Sequence, residues 1–214
     1  MKKIKNGYIS YNVAGGVLMR KEYLIILVAA LAIIAILAFY TTSEKPLTDK
    51  RVAIIIFDRY NPIELEAAEK ISENYTIIAA DRINRDYDIY IEDMNLKDIG
   101  QYDALILIGG SGVYDRVTGK IDDPNMEKVI ELVKEANRQG KIIGGICAAP
   151  AILAKAGILN GKEATIYPGL EYILTENGAK YVKRDVVVSG NIITAKNPNV
   201  ADEFAKAIAE KLGR

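Results

Sequence analysis

Six consecutive apolar residues, Val52-Ala53-Ile54-Ile55-Ile56-Phe57, narrow what this chain can fold into. A strand with one wet face alternates apolar and polar residues, whereas an unbroken apolar run is buried on both faces. Ala104 to Ile108 and Lys141 to Ile146 read as further buried strands, Tyr75 to Ala80 as another, and Asp88 to Ile91 as a short edge piece. Helical patterns intervene: Pro62 to Asn74, with Ile63, Ala67 and Ile71 at helical spacing, and Met126 to Asn137, starting at Asp123-Pro124. Strands near Ala164 to Tyr167, Val182 to Val188 and Ile192 to Ala195 precede a closing helix from Val200 to Leu212. Such alternation predicts one α/β domain over residues 51–214, a mostly parallel sheet with helices on both faces.

Upstream, Leu24 to Phe39 is wholly apolar. Taken from Tyr23 to Tyr40 the run reaches roughly 27 Å as a helix, close to a hydrocarbon core of about 30 Å. A core helix of that length would carry a polar face, and a signal peptide would end in a small-x-small site where this run ends in Phe39-Tyr40-Thr41-Thr42. The expectation is therefore an uncleaved single-pass anchor over 23–41, between a basic tail over 1–22 and a polar linker over 42–50. Lys2, Lys3, Lys5, Arg20 and Lys21 precede the run, so the positive-inside rule puts the N-terminus inside, the domain outside, and the protein at the cell membrane. Met19-Arg20-Lys21 would also make a natural start, with residues 1–18 an extension.

Charge and residue usage exclude several functions. Lys+Arg and Asp+Glu both total 28, which leaves no basic excess for nucleic acid. The single cysteine permits no intrachain disulfide, and histidine is absent. The usual general base and the commonest metal ligand are thus both missing, so neither a metal nor another cofactor is expected. Abundant Ile, Lys and Glu with no Trp lean towards a thermophilic source.

Three segments fall at carboxyl ends of expected strands, where α/β sheets place their chemistry. In Gly144-Gly145-Ile146-Cys147-Ala148-Ala149-Pro150 a strand runs almost directly into a helix expected near Ala148. Small neighbours relieve the crowding, as in a nucleophile elbow with Cys in place of Ser. Cys147 is either a reactive thiol there or a buried structural one. Gly109-Gly110-Ser111-Gly112 is either a plain turn or a loop whose N–H groups hold an oxyanion. It is not a dinucleotide fingerprint, since no third glycine and no immediate helix are expected, and Gly119-Lys120 lies too far on for a P-loop. Glu64, at the start of the first helix, is either a solvated partner of the helix dipole or a site carboxyl.

Together these segments resemble the ThiJ/PfpI superfamily, which contains the parkinsonism-associated deglycase and the PfpI intracellular proteases. The resemblance runs over residues 51–214 and includes Tyr102 to Gly110, the elbow, Ala151 to Gly157, and Thr165-Ile166-Tyr167-Pro168-Gly169. It implies a flavodoxin-like three-layer sandwich and self-association, most simply as a homodimer. It makes Cys147 the nucleophile, Glu64 the carboxyl that hydrogen-bonds its sulfur, and Gly110 and Ala148 the sources of oxyanion-binding N–H groups. Tyr167 stands where the deglycase branch has a histidine, and is either a substrate-binding hydroxyl or a pocket wall.

Two functions follow from the resemblance. One is a cofactor-free cysteine enzyme acting on small reactive carbonyls, glyoxalase- or deglycase-like, or labelled by similarity as a peptidase. Peptide hydrolysis must protonate a poor amine leaving group, which a chain without histidine is badly equipped to do. The other is a redox or stress sensor working by oxidation of Cys147. For the thiol itself, a helix N-terminus, backbone donors and a proton-sharing Glu64 together predict a pKa depressed by roughly two to three units.

Overall fold

The computed structural model describes residues 21–41 and 46–213, with side chains in the first helix from 23 to 34. The chain divides into two compact units, Met1–Lys45 and Pro46–Arg214.

The first unit holds helix α1 (Lys21–Thr41). Its described side chains, Tyr23 to Ile34, are all exposed. Among the described residues no helix is long and apolar enough to cross a membrane. This corrects the expectation of a single-pass anchor over 23–41, and with it the membrane partner, the inside-to-outside topology and the cell-membrane location. The rest of the basic tail, 1–20, lies outside the described residues.

In the second unit the elements follow one another as β1 (Val52–Ile56), α2 (Pro62–Glu69), β2 (Tyr75–Ala79), β3 (Ile89–Tyr90), β4 (Ala104–Leu107), α3 (Ser111–Val117), α4 (Asn125–Arg138), β5 (Ile142–Ile146), α5 (Pro150–Lys155), β6 (Glu163–Ala164), α6 (Glu171–Glu176), β7 (Lys180–Tyr181), β8 (Val186–Ser189), β9 (Ile192–Ala195) and α7 (Ala201–Lys211). Seven strands form one sheet in the order β3-β2-β1-β4-β5-β9-β8. All neighbours in it are parallel except the edge pair β8 and β9. Strands β6 and β7 pair separately.

Strand β1 is buried at every position, as its sequence requires. Burying one Ile side chain contributes roughly 1.5–3 kcal/mol, so the run locks β1 into the middle of the sheet. Successive residues of β5 face opposite sides. A Cβ on Gly144 would meet Phe204 and Ile208 of α7, whereas one on Gly145 would meet Leu153 of α5. Helices thus cover both faces, and the fold is the flavodoxin-like α/β sandwich.

Boundaries moved where distant segments intervene. Helix α2 stops at Glu69 because Leu47 and Thr48 donate N–H groups to the carbonyls of Lys70 and Ile71. Those carbonyls would otherwise be free to carry the helix on. Helix α5 starts at Pro150 rather than Ala148, leaving residues 147–149 as a turn. Helix α3 begins directly after Gly110, where no immediate helix was expected.

Candidate active site

Strand β1 lies between β2 and β4, so the chain order reverses at the β1/β4 boundary, the crevice where such sheets bind ligands. The register then brings the key residues together. Leu107 of β4 pairs with Gly145 of β5. Two residues further along each chain stand Gly109 and Cys147, which therefore meet.

Cys147 sits at φ 61°, in the left-handed region. That conformation costs an L-residue roughly 1–2 kcal/mol. Contacts on both sides impose it: the Cys147 N–H donates to the Ala195 carbonyl at 2.9 Å, and the Cys147 carbonyl accepts from the Tyr167 N–H at 2.9 Å. The side chain is buried.

Glu64 arrives from α2. The Asn61 side chain caps that helix by accepting from the N–H groups of Ile63 and Glu64 at 3.0 and 3.3 Å. Far from being solvated, Glu64 is fully buried. Its Oε2 accepts from the Gly109 N–H at 2.8 Å, while its Oε1 is buried without a hydrogen-bond partner. The Cys147 thiol interacts with this carboxyl, and each group shifts the other.

Burial pushes the Glu64 carboxyl from its ordinary 4.5 up to about 7, against the pull of the Gly109 N–H and of Cys147. Burial also dominates at Cys147, and the charge of Glu64 adds to it, so the thiol rises from 9.0 to about 12. The N–H groups of Gly110 and Ala148 point to the sulfur and act the other way, without prevailing. The expected depression is thus corrected to an elevation. The helix contribution fails because α5 is only six residues long and begins three residues beyond Cys147. At neutral pH the pair carries at most one negative charge, held mainly on Glu64.

Cys147, Glu64, Gly110 and Ala148 therefore converge on one point. Tyr167 joins them through its backbone. Its partly exposed ring meets Tyr114 edge-on, with centroids 6.4 Å apart. Sequence reasoning missed the ion cluster beside this site, where the nearly buried Arg116 pairs with Asp58, Asp81 and Asp123. An available signal was an aspartate just past the ends of both β1 and β2. Among the described residues no group of three or more His, Cys, Asp or Glu could hold a metal ion.

The DJ-1/PfpI family model matches residues 50–211. The chain belongs to the DJ-1/PfpI family. As a DJ-1/PfpI chain it is similar to an uncharacterized protein of Methanocaldococcus jannaschii, 42% identical over 57% of this chain and 56% of the relative. It is also similar to a glutathione-independent glyoxalase of Caenorhabditis elegans, 34% identical over 57% of this chain and 62% of the relative. In neither case does the match reach two thirds of the relative's length. The crystal structure of Drosophila melanogaster DJ-1beta superposes with a TM-score of 0.60 at 29% identity, covering 77% of this DJ-1/PfpI chain and 91% of that one.

Proposed function

We propose that this protein is a cofactor-free cysteine enzyme that converts small 2-oxoaldehydes to 2-hydroxy acids. The observation that carries this reading is the orphaned, buried Oε1 of Glu64 beside the chain's single thiol. A carboxyl at about 7 is poised to accept and return protons at neutral pH. The similarity to a relative named a glyoxalase points the same way.

The Cys147 sulfur attacks the aldehyde carbon while the thiol proton passes to Glu64. The new alkoxide, held by the Gly110 and Ala148 N–H groups, takes that proton from Glu64 to give a hemithioacetal and leaves the carboxylate ionised. The ionised Glu64 then removes the proton from the former aldehyde carbon and returns it to the neighbouring carbonyl carbon, while the hydroxyl proton passes from the first oxygen to the second, leaving a 2-hydroxy thioester. Water hydrolyses the thioester, releasing the 2-hydroxy acid and restoring the thiol. No external oxidant or reductant is consumed. Proton transfer to Glu64 during attack removes the need for a standing thiolate, so the raised Cys147 pKa does not block the route. The same elevation weighs against an oxidation sensor, which needs an accessible thiolate.

The test is lactate formation from methylglyoxal by the purified protein, followed by NMR. Turnover is expected to vanish in Cys147→Ser and to fall by about 100-fold or more in Glu64→Gln. Absence of turnover with methylglyoxal, glyoxal and phenylglyoxal alike would overturn the reading.

A further inference from the structure

The Arg116 guanidinium is nearly buried, with 6% of its side chain exposed. Its Nη1 donates to Asp58 Oδ1 at 2.5 Å and to the Gly112 carbonyl at 3.0 Å. Nη2 donates to Asp81 Oδ1 at 2.9 Å, Nε donates to Asp123 Oδ2 at 2.5 Å, and the group lies over the Phe57 ring. The three carboxylates come from three segments: the loop after β1, the loop after β2, and the approach to α4. Burying Arg116 and Asp123 is costly, and apolar packing would often serve stability as well. What such a cluster supplies is geometry.

That geometry leads to the site. The stretch Asp58 to Asn61 runs along Gly109 to Gly112. The Asn61 N–H donates to the Gly109 carbonyl at 3.1 Å, Tyr60 forms an antiparallel bridge with Gly110, and the Asp58 carbonyl lies where a Cβ on Gly112 would come to 1.8 Å. Only a glycine permits that approach. Arg116 Nη1 grips both stretches at once, Asp58 on one and Gly112 on the other. One stretch carries the Gly109 N–H that holds Glu64 and the Gly110 N–H that faces the sulfur. The other ends in Asn61, the cap of the helix that delivers Glu64.

We propose that Arg116 is a positioning residue for the thiol site: by clamping Asp58 to Gly112 it holds the Gly110 N–H on the Cys147 sulfur and the Gly109 N–H on Glu64. The clamp acts on the sulfur whether or not 2-oxoaldehydes are the substrate. Arg59, which pairs with Asp58 and Asp115 from an exposed position, belongs to the outer side of the same cluster.

Because the chain has one cysteine, alkylation by iodoacetamide reports this sulfur alone. The full-length protein is compared with Arg116→Lys, which keeps the charge but loses the fork, and with Asp58→Asn, which leaves the pairs with Asp81 and Asp123 intact. In both variants the alkylation profile from pH 6 to 10 should move upward by about 0.5–1 unit, a roughly three- to tenfold slower reaction at fixed pH. Removing the Asp58 charge through electrostatics alone would move the profile the other way, so the direction separates the two effects. A lowered unfolding midpoint with a superimposable profile would mean that Arg116 only braces the fold, and would overturn the proposal. Faster alkylation at every pH would overturn it too, by showing that the cluster merely covers the sulfur. If Arg116→Lys fails to fold, Asp58→Asn decides.

Discussion

Gly109 and Cys147 face each other with no space for another atom between them. A Cβ on Gly109 would stand 2.7 Å from the Cys147 Cβ and 3.0 Å from Glu64 Oε2. Gly109→Ala should therefore push the cysteine and the carboxyl apart. The expected destabilisation is about 1–3 kcal/mol, the usual range for overpacking a core. Guanidinium unfolding measures it, and an unchanged midpoint would mean that the β4 and β5 ends are looser than the register implies.

Glu64 sets a pH dependence of stability whose sign follows from its elevated pKa. The unfolded chain releases this proton near 4.5 and the folded protein near 7. Between those values the folded state binds more protons, so stability falls as pH rises. The contribution is fully present below 4.5 and lost above 7, a change on the order of a few kcal/mol. Denaturant unfolding at pH 5 and pH 8 should show this slope in wild type, and the Glu64→Gln variant should lack it. Equal slopes in the two proteins would refute the burial-driven shift.

The thiol should respond to the same substitution. The charge of Glu64 raises Cys147, so replacing it with a neutral amide should bring the thiol pKa down from about 12. Thiolate absorbance near 240 nm against pH reads the change. A higher pKa in Glu64→Gln would mean that the carboxyl instead stabilises the thiolate by sharing its proton.

Tyr167 offers a cleaner separation of scaffold from chemistry. Its fixed link to Cys147 is a backbone N–H, which any side chain retains. Tyr167→Phe should leave stability within about 0.5 kcal/mol, as for a partly exposed position. If the hydroxyl binds the substrate oxygen, kcat/KM for methylglyoxal should fall by about tenfold, the effect of one lost hydrogen bond. Unchanged kinetics would leave the ring as a wall beside Tyr114.

Local patterns in the chain were enough to specify the sheet and to mark the candidate site at its strand ends. Unbroken apolar runs such as Val52 to Phe57 admit one environment, and strand-helix alternation then dictates parallel neighbours. Cys147 was legible because small neighbours mark a tight strand-to-helix turn, whereas Gly110 was singled out by the family resemblance. Tertiary structure decided the rest. Whether Glu64 is solvated or buried depends on β4 and β5, which lie far away in the chain, and no local pattern at residue 64 records that. The direction of the Cys147 shift is a balance of burial, one nearby charge and two N–H donors, each set by packing. The termination of α2 rests on Leu47 and Thr48. The Arg116 cluster gathers Asp58, Asp81 and Asp123 from separate loops. Periodicity reports which face of an element is buried; it does not report what meets that face, and charge effects are sums over those meetings.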